Sequence, residues 1–184
     1  SNSSTSTLSD EVTKSKLSIL ELGAGIGLCG MFVSRLLRKT HDTTVILSDL
    51  PNAMDGLNEN IQCNAMEGQV TARVLSWGVR SELDTVLAEL KTQGEEAPFV
   101  IAADCVYWEC LYEPFFHTLK DLIAIGCKVI ISHMRRWKRE SKFFTLCRKA
   151  GWKISVLEEM VSTVPAEHTG VPTRQITRIY CIEK

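Results

Sequence analysis

Short apolar runs alternate along this chain with longer stretches whose apolar positions recur every three or four residues. The runs Leu17–Gly23, Thr43–Asp49, Val70–Trp77, Phe99–Asp104 and Lys128–His133 read as strands. Between them, Leu28–Lys39, Pro51 to about Met66, Glu82–Leu90, Tyr112–Ile125 and Arg136–Ala150 read as helices, the last one capped by Gly151. The first helix places Met31, Phe32, Leu36 and Leu37 on one face, and the third places Leu83, Val86, Leu87 and Leu90 on one face. Strict alternation predicts an α/β domain with a doubly wound, mostly parallel, seven-stranded sheet. Trp152–Met160 and Gln175–Ile182 are the last two strands, with no helix between them, so an antiparallel last strand is expected. Ser162–Thr173 reads as a loop. Ser1–Lys16 is small and polar, too poor in apolar area to order itself, and is expected as a disordered tail ahead of one domain, 17–184.

Chemistry enters at the end of the first strand. Glu21-Leu22-Gly23-Ala24-Gly25-Ile26-Gly27 carries three glycines at alternate positions just before a helical pattern. Such a turn brings backbone close to a ligand, beside the positive end of a helix. The second strand ends in Asp49, where a carboxylate suits a bidentate grip on ribose hydroxyls. The two together describe a nucleoside crevice; the alternative is a tight turn closing a structural strand–helix unit. A dinucleotide site uses G-x-G-x-x-G. Here the spacing is E-x-G-x-G-x-G, and Glu21 would repel a pyrophosphate but attract a cationic amino acid moiety. That favours S-adenosylmethionine, with S-adenosylhomocysteine as product, over a nicotinamide cofactor.

Composition narrows the classes. The chain has 184 residues, 45% of them hydrophobic and 23% charged, which fits one domain with a good core. A formal net charge of -1 creates no field that draws in nucleic acid or anionic membrane. Seven scattered cysteines, none in a C-x-x-C pair, read as reduced, buried thiols in a reducing compartment. The expected setting is therefore cytoplasmic, with the nucleus as the other option. The four histidines do not pair with cysteines at zinc spacing. No apolar run reaches membrane-spanning length, and no signal peptide is expected. A monomer is expected.

Two further strand ends carry marks. Trp77 ends the third strand and offers a face for adenine, or else packs as a core or lid residue. Asp104 ends the fourth strand after an apolar run, where an acid is costly unless it faces the crevice. Tyr107 follows it by three residues. The alternative for Asp104 is the N-cap of the next helix. The basic run from His133 to Lys142 reads as a solvated helix face over Trp137, Phe143 and Phe144, or else as a contact for an acidic partner or phosphate.

Val74-Leu75-Ser76-Trp77-Gly78 and Ala102-Ala103-Asp104-Cys105-Val106-Tyr107 resemble the marks of the class I, seven-strand methyltransferases, and within them the family 16 branch of protein lysine methyltransferases. Leu57-Asn58-Glu59-Asn60 and Asn64 resemble the same branch. The resemblance runs from about Leu17 to Lys184 and implies a Rossmann-like sheet. It implies that Glu21, Gly23, Gly25 and Gly27 surround the methionine part of the cofactor. Asp49 would hold the ribose, Trp77 would pack on adenine, and Ala103 would touch the cofactor through its backbone. Asp104 and Tyr107 would be catalytic, bordering the methyl-transfer site, and the acceptor would be a lysine of a protein substrate. Family members also carry an N-terminal helix and hairpin with an aromatic residue that helps cover the cofactor. Only Ser1–Lys16 precede the first strand here, so that cover is not expected in this chain.

Such an enzyme needs alignment more than covalent help, because the sulfonium is already an activated donor. Lysine adds a demand, since its amine must first lose a proton. Asp104 would draw in and orient the cationic side chain. Two other classes stay open: a methyltransferase for a small molecule or nucleic acid, which the charge and the lack of an N-P-P-Y motif disfavour, and a non-catalytic binding module on the same fold.

Overall fold

The computed structural model of the protein describes residues 14–91, 97–165 and 172–184. It contains the strands β1 (Ser15–Leu22), β2 (His41–Asp49), β3 (Val70–Val74), β4 (Phe99–Ala103), β5 (Lys128–Met134), β6 (Lys153–Pro165) and β7 (Pro172–Glu183). The helices are α1 (Leu28–Leu37), α2 (Met54–Cys63), α3 (Arg80–Lys91), α4 (Tyr112–Ala124) and α5 (Ser141–Lys149). The seven strands form one sheet in the order β3-β2-β1-β4-β5-β7-β6. The pairs from β3 to β5 are parallel, and β7 runs antiparallel to both neighbours. The expected fold class is the one observed.

Period-two alternation in doubly buried strands decides which helix each residue meets. Ile19, Val45, Leu47 and Ile101 point to the α1–α2 side with Met31, Leu57 and Ile61. Leu20, Leu22, Ile46, Val100 and Ile131 point to the α3–α5 side with Val86, Phe115, Leu119 and Phe143. The four apolar residues expected on one face of α3 are all buried there.

Three expectations are corrected. In α1 the buried residues are Gly30, Met31 and Ser34, whereas Phe32 and Leu36 are 64% and 62% exposed. The helix lies close over β1 and β2, and only a glycine at position 30 leaves room for Leu47 and Glu21. Small residues therefore face inward, and Leu28, Phe32 and Leu36 form an outward apolar stripe. The expected loop Ser162–Thr173 begins and ends in strand instead, with Ser162 to Pro165 paired to Pro172 to Gln175, because the Val and Thr residues there suit a strand. Residues 166–171 of that stretch lie outside the described residues. Ser15 and Lys16 begin β1 by pairing with His41 and Asp42; the rest of the expected tail up to residue 13 lies outside the described residues.

Candidate active site

The strand order reverses between β1 and β4, so the chain leaves their carboxyl ends in opposite directions and opens a crevice there. The glycine turn forms one wall. Gly23 has φ +65°, and a Cβ on it would sit 2.9 Å from the Trp77 ring and 3.0 Å from Cys105 Sγ. Gly25 has φ +57°, and a Cβ there would meet nothing, so its backbone is open to a ligand. The turn is pinned on both sides. The Ala24 N–H donates to the Ser48 carbonyl at 3.0 Å, and Asn60 Nδ2 donates to the Ile26 carbonyl at 2.9 Å. Gly27 is the exception among the expected cofactor residues. It is buried against Leu47 and Leu57, starts α1, and lines neither of the two cavities described below.

Strand parity places Glu21 on the α1 side, where it is buried. Its Oε2 accepts the Gly30 N–H at 2.8 Å, satisfying a free donor of the first helical turn. Burial outweighs this bond and lifts its carboxyl from 4.5 to about 7. A carboxyl raised in the folded state stabilises most below its unfolded value, and that contribution is lost as pH rises through about 7. The span corresponds to about 3 kcal/mol. The ligand-free protein should therefore lose melting temperature between pH 5 and 8, and Glu21→Gln, which keeps an acceptor for Gly30, should flatten that slope. Melting curves across this range check it; equal slopes would place the titration elsewhere.

Asp49 at the tip of β2 accepts the Gly25 N–H at 2.7 Å through Oδ2 and the Leu50 N–H at 2.7 Å through Oδ1. Its carboxylate is thus fixed at the crevice by the glycine turn itself. Asp49, Gly23, Gly25, Trp77, Ala103, Asp104 and Tyr107 line one cavity of about 370 Å3, completed by Leu50, Leu75, Ser76, Cys105, Leu111 and Pro114. A neighbouring cavity of about 430 Å3 is lined by Glu21, Gly23, Ala24, Leu28, Cys29, Phe32 and Ala103. The two share Gly23 and Ala103. Of the nine residues expected at the site, eight therefore line one crevice, and Gly27 does not.

Trp77 lies just past β3 rather than in it, with its ring centroid 4.5 Å from that of Phe115. The core packs against one part of the indole and leaves another part to the cavity, so Trp77 is at once a core residue and a cavity wall. Adenine stacked there would quench its emission. Adding S-adenosylhomocysteine should quench the protein strongly, and Trp77→Leu much less; with four tryptophans in the chain, the comparison carries the test. An equal quench in the variant would place adenine elsewhere.

Asp104 does not cap a helix. The 3-10 turn 109–111 starts from Trp108, and α4 starts from Leu111. Asp104 instead adopts a left-handed φ of 59°, which non-glycine residues adopt at a cost. Its N–H donates to the Ser132 carbonyl at 2.8 Å, and Cys105 Sγ donates to the Leu22 carbonyl at 3.2 Å. Neighbours on both sides thus hold the acid in the crevice. Tyr107 shares that cavity, and burial pushes its phenol up, so it stays a protonated donor.

Sequence reading missed the partner of this acid. Arg136 donates Nη1 to Asp104 Oδ1 and Nη2 to Asp104 Oδ2, each at 2.7 Å. The carboxylate expected to attract a cation already holds one. The Arg136 N–H in turn donates to Glu140 Oε2 at 2.8 Å, and that oxygen lies 3.3 Å from His133 Nε2. His133 and Glu140 are both buried, and desolvation pushes the imidazole down toward its neutral form. The basic run is therefore not simply a solvated face. Arg135, Lys138 and Arg139 are exposed and Phe143 and Phe144 are buried, as expected, but Trp137 is 59% exposed rather than packed beneath, Arg136 pairs with Asp104, and Glu140 is buried.

All seven cysteines are free. Cys105, Cys127 and Cys147 are buried, their thiols pushed up to about 12, 11 and 12. Cys63 and Cys110 are exposed, contrary to the expectation of buried thiols. Among the described residues no group of three His, Cys, Asp or Glu side chains is arranged to hold a metal, and no helix is long and apolar enough to cross a membrane.

A family model described as "Lysine methyltransferase" matches residues 2–150. Among curated proteins, the protein-lysine N-methyltransferase EFM6 of Saccharomyces cerevisiae is 35% identical over 141 residues, covering 74% of this chain and 57% of that protein. The EEF1A lysine methyltransferase 3 of Xenopus tropicalis is 30% identical over 129 residues, covering 68% and 50%. The chain thus spans about half the length of the curated relatives it matches. Among solved structures, precorrin-6y C5,15-methyltransferase from Geobacter metallireducens superposes with a TM-score of 0.61 at 12% identity, over 93% of this chain and 82% of that one. M. capricolum TrmK, in complex with S-adenosyl-homocysteine, gives 0.55 at 11% identity, over 94% and 64%.

Proposed function

This chain belongs to the lysine methyltransferase family, and from that premise we propose that it serves an S-adenosylmethionine-dependent enzyme that methylates a lysine side chain of a protein. One observation carries the reading to this chain's own residues. A single cavity joins the ribose-type acid Asp49 and the indole of Trp77 to the acceptor-side pair Asp104 and Tyr107.

The residues suit the cofactor. Gly25 leaves its backbone uncovered beside the cavity, and Asp49 is held there by two backbone N–H groups. Asp49 would hold the ribose, Trp77 the adenine, and Gly23, Gly25 and Glu21 the methionine part. When bound, S-adenosylmethionine supplies a methyl group on a sulfonium, which needs no covalent activation by the protein.

The chain's own work is to admit the acceptor, orient it and favour its neutral form. A lysine with a pKa of about 10.4 costs about 4 kcal/mol to deprotonate near pH 7.5. Cys105, Leu111, Pro114 and Tyr107 give the cavity an apolar and aromatic lining, and desolvation there disfavours the ammonium. The Tyr107 hydroxyl is available to hydrogen-bond the amine, whose proton leaves to water.

Isothermal titration with S-adenosylhomocysteine and with NAD tests the cofactor class. The expected result is binding of the first alone. Binding of NAD instead would sink the assignment.

A further inference from the structure

We propose that Arg136 is a positioning residue of the acceptor site: by pairing with Asp104 it cancels a charge there that would otherwise help to hold the incoming lysine in its ammonium form. This rests on the lysine reading above and extends it to a residue outside the family motif.

The geometry supports it from two sides. The bidentate pair fixes the carboxylate plane, and the two partners come from loops that follow neighbouring parallel strands. The segments beyond those loops meet as well, where Glu109 of the 3-10 turn pairs with Lys142 of α5. Beneath Arg136, buried Glu140 accepts its backbone N–H and contacts neutral His133. Such a buried polar post has a cost, since Glu140 Oε1 and His133 Nδ1 have no hydrogen-bond partner among the described residues. Exposed charges do not need a buried support of this kind. The pair itself adds little stability, with Arg136 and Asp104 side chains 39% and 47% exposed.

Charge around the acceptor shows what the pair does. Glu21 and Asp49 come from the tips of β1 and β2, and Asp104 from the end of β4. Tyr107 and Cys105 stay neutral, because burial pushes both up. On the β5 side stand Arg136 and, behind it, Glu140 and neutral His133. Without Arg136 the unpaired carboxylate of Asp104 would stabilise an ammonium beside it and oppose the step that passes its proton to water and frees the nitrogen lone pair. With Arg136 in place, Asp104 can orient the amine as part of a neutral pair, and the guanidinium charge favours the deprotonated form.

Arg136→Gln tests this in the full-length protein. With N-acetyl-lysine methylamide as probe, nuclear magnetic resonance titration at pH 7 should show several-fold tighter binding to the variant, since unpaired Asp104 attracts the ammonium. Methyl transfer to a pool of lysine-containing peptides should move the other way. The rising limb of its pH profile should shift up by about one pH unit, leaving the variant roughly tenfold slower at pH 7.5 and close to the unsubstituted protein at pH 9.5. Arg136→Lys keeps the charge and should hold the limb in place, even if Arg136→Gln folds poorly. A variant profile parallel to that of the unsubstituted protein, weaker probe binding, or a limb displaced equally in Arg136→Lys would overturn the inference alone. No transfer by the unsubstituted protein to any peptide would overturn the lysine reading, and the inference with it.

Discussion

Asp104→Asn should lower methyl transfer by about 100-fold or more while the melting temperature and the affinity for S-adenosylhomocysteine stay close to those of the unsubstituted protein. The expectation rests on three features of the residue. Asp104 lies in the cavity with Tyr107, holds Arg136 through both carboxylate oxygens, and sits at φ 59°. Asparagine tolerates that backbone conformation, so the fold should survive. What it loses is the anion, and with it the charge balance of the pair. Arg136 would then carry an unopposed positive charge beside residue 104 that repels an ammonium substrate. A 100-fold loss is about 2.7 kcal/mol of barrier, within reach of one misplaced charge-assisted group. An interaction made on the acceptor side lowers turnover without a matching loss of cofactor affinity. If turnover survives, Asp104 is only a structural partner of Arg136. If S-adenosylhomocysteine binding collapses instead, Asp104 belongs to the cofactor side.

Asp49→Ala should weaken S-adenosylhomocysteine by about 2–3 kcal/mol, roughly 100-fold. Two effects combine. The ribose loses its charged acceptor, and the Gly25 and Leu50 N–H groups lose theirs. The second effect loosens the turn that carries the open backbone of Gly25. Isothermal titration measures the change, and a melting curve should show the fold intact. Unchanged affinity would remove Asp49 from the cofactor site.

The features readable in the sequence share a physical reason. Doubly buried strands print as apolar runs, and an acid or glycine at the end of such a run has few uses apart from the crevice. That is why Asp49, Asp104 and the glycine turn were legible, along with the strand–helix alternation behind the sheet order. Arg136 was not. It lies 32 residues from Asp104, in a run of charges that looks like solvated surface. Only the parallel pairing of β4 with β5, with Ala103 opposite Ser132, brings the two loops together. The face of α1 was misread for a related reason. Periodicity predicts that large apolar residues turn inward, but the close approach of α1 to β1 and β2 selects Gly30 and Ser34 and turns Phe32 outward. Gly27 fits a motif by spacing, whereas its contacts with Leu47 and Leu57 show a glycine required by packing.

Transfer of a methyl group to a protein lysine can be read out in a single experiment. The full-length protein is incubated with a cell lysate and S-adenosylmethionine carrying a labelled methyl group, and the labelled band is read by mass spectrometry. Label is expected on the side-chain nitrogen of a lysine, and none with Asp104→Asn. Label on another residue type, on nucleic acid or on a small molecule, or no label at all from protein shown to bind S-adenosylhomocysteine, would contradict lysine methylation.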